Sequence, residues 1–152
     1  QRALRGGAGG LGPAVEPARA ADSAHRAALA LGLATQGGGL VVADERLLDL
    51  VLRTDTELAG DLAARALAPL DELPANQRAR LVDTLAAWLD AHGEARPAAE
   101  RLHVHVQTVR YRLDQLRDLL GDALDDPARR LELQLALRVR DGVAHPAHPA
   151  QP

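Results

Sequence analysis

Apolar positions recur along this chain at helical rather than strand spacing, most clearly in its second half. Leu81, Leu85, Trp88 and Leu89 repeat at i, i+4, i+7 and i+8, a stripe that Pro74 can precede and Gly93 can close at C′. Pro97 can open a short helix running to Leu102. After His103-Val104-His105 a longer helix runs to Leu120 and is closed by Gly121. At about 100° per residue, Val109, Leu113, Leu116 and Leu120 share one narrow stripe, with Gln107, Arg110, Tyr111 and Asp114 opposite. Asp126-Pro127 start a last helix with Leu131, Leu135 and Val139 on one face, ending at Gly142. The core expected of residues 75–141 includes Leu85, Trp88, Leu102, Val109, Leu113, Leu116 and Leu135.

The first half is less regular. Residues 1–16 are Gly-rich without periodicity and read as loop or frayed terminus. A helix is expected from Pro17 to Ala34, with Ala24, Ala27, Ala28 and Leu31 on one face, ended by Gly37-Gly38-Gly39. Leu40-Val41-Val42 is the one plausible strand. Asp44 can cap a helix carrying Leu47, Leu48, Val51 and Leu52. Asp55 starts another, with Leu58, Leu62 and Leu67 on its apolar side, ended near Pro69. The tail HPAHPAQP is expected to be disordered. The pattern therefore predicts a mainly α fold: connecting helices and one short strand ahead of a helix-turn-helix.

Composition agrees. The chain is 47% hydrophobic, yet the payload is Leu, Ala and Val, with no Phe or Met and only Trp88 and Tyr111 as aromatics. The lack of Cys excludes a disulfide framework, a thiolate metal site and a cysteine nucleophile. No signal-peptide profile opens the sequence and no apolar run has bilayer length, so a cytoplasmic location without membrane partners is expected.

Charge adds a partner. The net charge is −3, but five arginines (96, 101, 110, 112, 117) face only Glu100 and Asp114 between Arg96 and Arg117. A basic segment on an acidic body is the footprint of a DNA-reading module. Arg96 to Leu119 has the proportions of a helix-turn-helix: short helix, three-residue turn, longer helix. His105 falls at the N-cap of the longer helix, with Gln107, Thr108 and Arg110 in its first turns, the end that enters the major groove in this motif. Gln can pair with adenine and Arg with guanine. Thr108, Tyr111 and Arg112 suit phosphate contacts, and His103 is a turn residue near phosphate.

The run Leu102-His103-Val104-His105-Val106-Gln107-Thr108-Val109-Arg110-Tyr111-Arg112-Leu113 closely resembles the C-terminal DNA-binding signature of the PucR family. The resemblance extends upstream through Leu81 to Leu89 and downstream through Gly121 to Pro127 and Leu131 to Leu137. It implies a bacterial, effector-responsive transcription regulator without a cofactor, binding double-stranded DNA as a homodimer or higher homo-oligomer. It also implies an organisation: residues 1–43 as the remnant of a GGDEF-like regulatory domain, 44–71 as connecting helices, 72–142 as the DNA-binding domain and 143–152 as a disordered tail. The small-molecule effector would be sensed by a region absent from this chain, and dimerisation would use residues 17–70 or that missing region. Val106 departs from the pattern, standing where relatives commonly carry Pro or a polar or basic residue.

Other chemistries fit less well. His103-Val104-His105 lacks a completing ligand cluster for a metal. Gly7-Ala8-Gly9-Gly10-Leu11-Gly12 fits G-x-G-x-x-G, but no strand is read before it and Pro13 follows at once. Asp44-Glu45 and Asp125-Asp126 sit at expected helix starts, where capping explains them. No nucleophile–base pair or phosphate loop appears, so an enzyme is not expected. The competing reading is a helical protein-interaction or dimerisation module that does not read bases.

Overall fold

The computed structural model of the chain describes residues 7–142, apart from the side chains of 36 and 37. The expected disordered tail lies outside the described residues. Helices dominate: α1 (Ala20–Gly37), α2 (Leu47–Thr54), α3 (Thr56–Asp71), α4 (Ala75–Asp90), α5 (Ala95–Leu102), α6 (Val106–Leu120) and α7 (Pro127–Arg140). Two strands, β1 (Ala8–Leu11) and β2 (Gly39–Val42), pair in parallel, with Ala8 opposite Gly39 and Leu11 opposite Val42. The described residues form two compact units: 7–59 together with 138–142, and Gly60–Leu137. None of the described helices is long and apolar enough to cross a membrane.

The first unit is built on β1, α1 and β2. The segment read as loop is strand β1, and its glycines explain why it was illegible. A Cβ on Gly10 would collide with the Ala27 carbonyl and the Leu31 amide, and one on Gly12 with the Ser23 carbonyl. Bare backbone lets α1 lie directly on the strand, so the usual β-branched signal is missing. Ser23 Oγ fastens the approach by donating to the Pro13 carbonyl at 2.7 Å. The inward face of α1 also differs from the one expected. Ala30, Leu33 and Ala34 are buried, while Ala24, Ala28 and Leu31 are exposed; an Ala-rich helix carries little information about its rotation. Ala30 and Leu33 form a small core with Ala43 and Leu50.

Residues Ala43–Glu45 make a 3-10 turn, and α2 begins at Leu47 without a side-chain cap, so Asp44 does not cap it. Leu47, Leu48 and Val51 are exposed, whereas Asp49 and Leu50 are buried. With apolar residues nearly all round this short helix, burial is decided by Asp49, which Arg46 and Arg138 hold.

Asp55 does cap α3: its Oδ1 accepts from the Leu58 amide at 2.9 Å. The helix continues past Pro69 to Asp71, because a proline in the last turn forfeits one backbone bond without ending the helix. Leu67 is buried, but Leu58 is 66% exposed.

In the second unit the stripe Leu81, Leu85, Trp88 and Leu89 is buried as expected, as are Val109, Leu113, Leu116 and Leu120 of α6. Helix α5 packs against α4 and α6, with Ala98 and Ala99 buried along it. Leu102 and Leu135 are only half-buried. Helix α4 closes in a Schellman arrangement: Gly93 N donates to Trp88 O at 2.9 Å and His92 N to Leu89 O at 3.1 Å. Gly93 is thus C″, and His92, at φ 53°, takes the left-handed C′ position. In α7, capped by Asp126 Oδ1 at the Ala128 and Arg129 amides, the inward residues are Leu133, Ala136 and Leu137. Leu131 is exposed and Val139 half-buried, since Leu at every second position from 131 to 137 leaves the helical face undetermined.

Candidate nucleic-acid interface

Helix α6 is placed by its two ends and its buried stripe. Its N-cap is His105, whose Nδ1 accepts from the Gln107 amide at 3.2 Å, and Gly121, at φ 62°, stops it. The preceding turn works without glycine. His103 adopts φ 53° and ψ 41°, with Val104 N donating to Ala99 O at 3.0 Å and His103 N to Glu100 O at 3.2 Å. This Schellman turn ends α5 and redirects the chain into α6. Arg101 Nη1 meets Asp90 Oδ2 at 2.8 Å, tying α5 to the end of α4. A short helix, a turn and a longer helix packed on α4 and α5 make a helix-turn-helix.

The stripe that locks α6 inward leaves Gln107, Arg110 and Tyr111 exposed on its outer side. Two grooves flank that ridge. One lies at the turn, lined by Arg96, Glu100, His103, His105, Val106 and Arg110. The other lies toward α4 and takes in Thr108, Tyr111 and Arg112. All seven residues singled out from the sequence thus sit on α6 or the turn before it, divided between ridge and flanks. Among the described residues no group of three or more His, Asp or Glu side chains is placed to hold a metal.

Comparison with known proteins matches residues 81–139 to the PucR C-terminal helix-turn-helix domain. The chain is also 33% identical over 132 residues to an uncharacterised protein of the pkwA 5′ region of Thermomonospora curvata, covering 86% of this chain and 72% of that one. The chain belongs to the PucR helix-turn-helix family. The purine catabolism regulatory protein of Bacillus subtilis (strain 168) is 43% identical over 60 residues, 40% of this chain but 11% of the relative's length. A crystal structure of a regulator of polyketide synthase expression from Bifidobacterium adolescentis aligns over 83% of this chain and 52% of that one, with 23% identity and a TM-score of 0.44. The PucR match spans α5 and α6 whole and most of α4 and α7, so the ridge and the groove at the turn belong to a domain of DNA-binding transcription regulators, not of enzymes. The α4-side groove reaches beyond the match to Arg80 and Pro74.

The arginines along α4, α5 and α6 differ in how they are held. Arg78 is paired with Asp71, Arg96 with Glu100, Arg101 with Asp90 and Arg117 with Asp114. Arg110 has no carboxylate partner among the described residues. Arg112 donates through Nη1 to Thr84 Oγ1 of α4 at 3.1 Å. Helical periodicity assigns Thr84 no part in this; the one signal is a hydroxyl residue inside the apolar stripe of α4, fully buried yet polar.

Proposed function

We propose that the chain reads double-stranded DNA sequence-specifically, with α6 from about Val106 to Leu120 in the major groove. Gln107 and Arg110 meet base edges in this reading, while Thr108, Tyr111, Arg112, His103 and His105 contact the backbone. The observation that carries it is Arg110: exposed near the start of α6, without a carboxylate, while Arg96, Arg101 and Arg117 are each paired with one. A cation already paired to a carboxylate must give up that partner to bind DNA, whereas an unpaired one carries no such cost.

The wider assignment follows. Residues 72–142 are the DNA-binding domain and 44–71 the connecting helices. The β1–α1–β2 unit supports residues 1–43 as the end of an α+β regulatory domain of GGDEF-like type. The intact protein is a cytoplasmic bacterial transcription regulator that senses a small-molecule effector through a region outside this chain. It acts as a homodimer, and the exposed apolar residues Leu47, Leu48 and Val51 of α2 support self-association through the first unit.

The test is selection of duplexes from a randomised pool by the chain, followed by anisotropy titration of Arg110→Ala on the selected site. The variant is expected to lose on the order of 1–3 kcal/mol and its preference at one base pair. Retained wild-type preference with intact helicity would overturn the reading in favour of an interaction module that does not read bases.

A further inference from the structure

The groove between the first half of α4 and α6 has an open volume of about 470 Å³. Arg80 lines it from α4, and Thr108, Tyr111, Arg112 and Gln115 from α6. No acidic residue contributes to the lining. Arg80 has no carboxylate partner among the described residues, although Arg78, two positions earlier, is held by Asp71 at 2.9 Å. Arg112 is likewise without a carboxylate.

Buried Thr84 relates the two cations. Its Oγ1 donates to the Arg80 carbonyl at 2.7 Å and accepts from Arg112 Nη1 at 3.1 Å. That bond orients the Arg112 guanidinium while using one of its five N–H donors. Tyr111 Oη accepts from Gln115 Nε2 at 3.2 Å, which leaves the phenolic hydrogen available to donate. Two uncompensated guanidiniums on facing helices repel one another until an anion with several acceptor oxygens sits between them. The opening lies on the flank of α6 opposite Arg110, about 160° round the helix at Arg112. A duplex that holds α6 in its major groove presents a sugar-phosphate strand along each flank of the helix.

We propose that this groove seats one backbone phosphate of the DNA, with Arg80 of α4 as a principal ligand beside Arg112 and Tyr111, and Thr84 as the positioning residue. The proposal rests on the DNA-reading assignment above and extends the interface to a helix outside the helix-turn-helix. The seat fixes register and carries no base preference.

The experiment titrates salt against the full chain bound to its selected duplex and to an unrelated one, for wild type, Arg80→Ala, Arg80→Lys, Arg78→Ala and Arg110→Ala. Losing one phosphate contact lowers the log–log salt slope by about 0.9. Wild type should therefore weaken roughly 3.5-fold more than Arg80→Ala over a fourfold rise in salt, on both duplexes. Arg80→Lys should restore the slope, and Arg78→Ala should leave it as in wild type. A single neutral methylphosphonate at the seated position should weaken wild type and leave Arg80→Ala unaffected. Circular dichroism checks that Arg80→Ala, an exposed substitution, keeps wild-type helicity. An unchanged slope in Arg80→Ala, alongside lost base preference in Arg110→Ala, overturns the phosphate seat and leaves the major-groove reading standing. If Arg110→Ala also binds like wild type, or wild type binds no duplex, the reading fails and the seat with it.

Discussion

Asp49 and Arg138, 89 residues apart in sequence, meet at 2.9 Å between Oδ1 and Nη1. Asp49 is 2% exposed, and Arg46 takes its other oxygen. A carboxylate removed from water survives only where cations and donors replace its hydration, and here two guanidiniums do so. The first unit therefore draws part of its stability from the far end of the chain.

Arg138→Ala should cost about 1.5–3 kcal/mol, toward the lower end because Arg138 is half-exposed and Arg46 remains. Hydrogen exchange by mass spectrometry is the check: α2 amides should exchange faster while protection of α4 and α6 is unchanged. Unaltered exchange in α2 would show that Arg46 alone satisfies the carboxylate.

Gly10→Ala places a methyl group into the backbone of α1 rather than against a movable side chain. A loss of about 3 kcal/mol, or failure of the β1–α1 contact to form, is expected in denaturant unfolding. Gly60→Ala is the contrast, since nothing lies within 4 Å of its new Cβ and the site is inside α3. It should gain about 0.5–1 kcal/mol.

His103→Gly tests the turn before α6. The left-handed conformation costs an L-residue about 1–2 kcal/mol, and glycine returns part of that as lost chain entropy. A net stabilisation of about 0.5–1 kcal/mol is expected. If His103 also touches phosphate, the same variant should bind duplex more weakly while melting higher, a combination that a purely structural role would not produce.

The parts legible in the sequence are those where side chains, not backbone, set the contact. Leu81, Leu85, Trp88, Val109, Leu113 and Leu116 stand at helical spacing among polar residues, so their faces and the helix-turn-helix followed directly. The His105 cap and the Asp126 cap were readable because capping is local chemistry. Strand β1 was hidden because Gly10, and Gly12 just beyond its end, act by having no side chain. The faces of α1, α2 and α7 were misread where Ala or Leu fill nearly every position and only tertiary partners choose among them. Asp49 is the sharpest case, since its burial depends on Arg138, which no local pattern connects to it. At the interface, outward placement of Gln107, Arg110 and Tyr111 followed from the wheel, whereas the turning of Arg112 to Thr84 needed α4 in place.

Trp88 is the only indole in the chain; it is 4% exposed, with the Arg130 guanidinium 4.8 Å from its ring centroid. Its light emission is therefore a label already installed in the core of the helical unit. A blue-shifted spectrum in the native protein, moving red on denaturation, follows this helical unit alone, because the β1–α1–β2 unit contains no tryptophan to contribute. Far-ultraviolet ellipticity sums over every helix in the chain. Any difference between the two melting curves would measure how far the helix-turn-helix unit unfolds on its own terms.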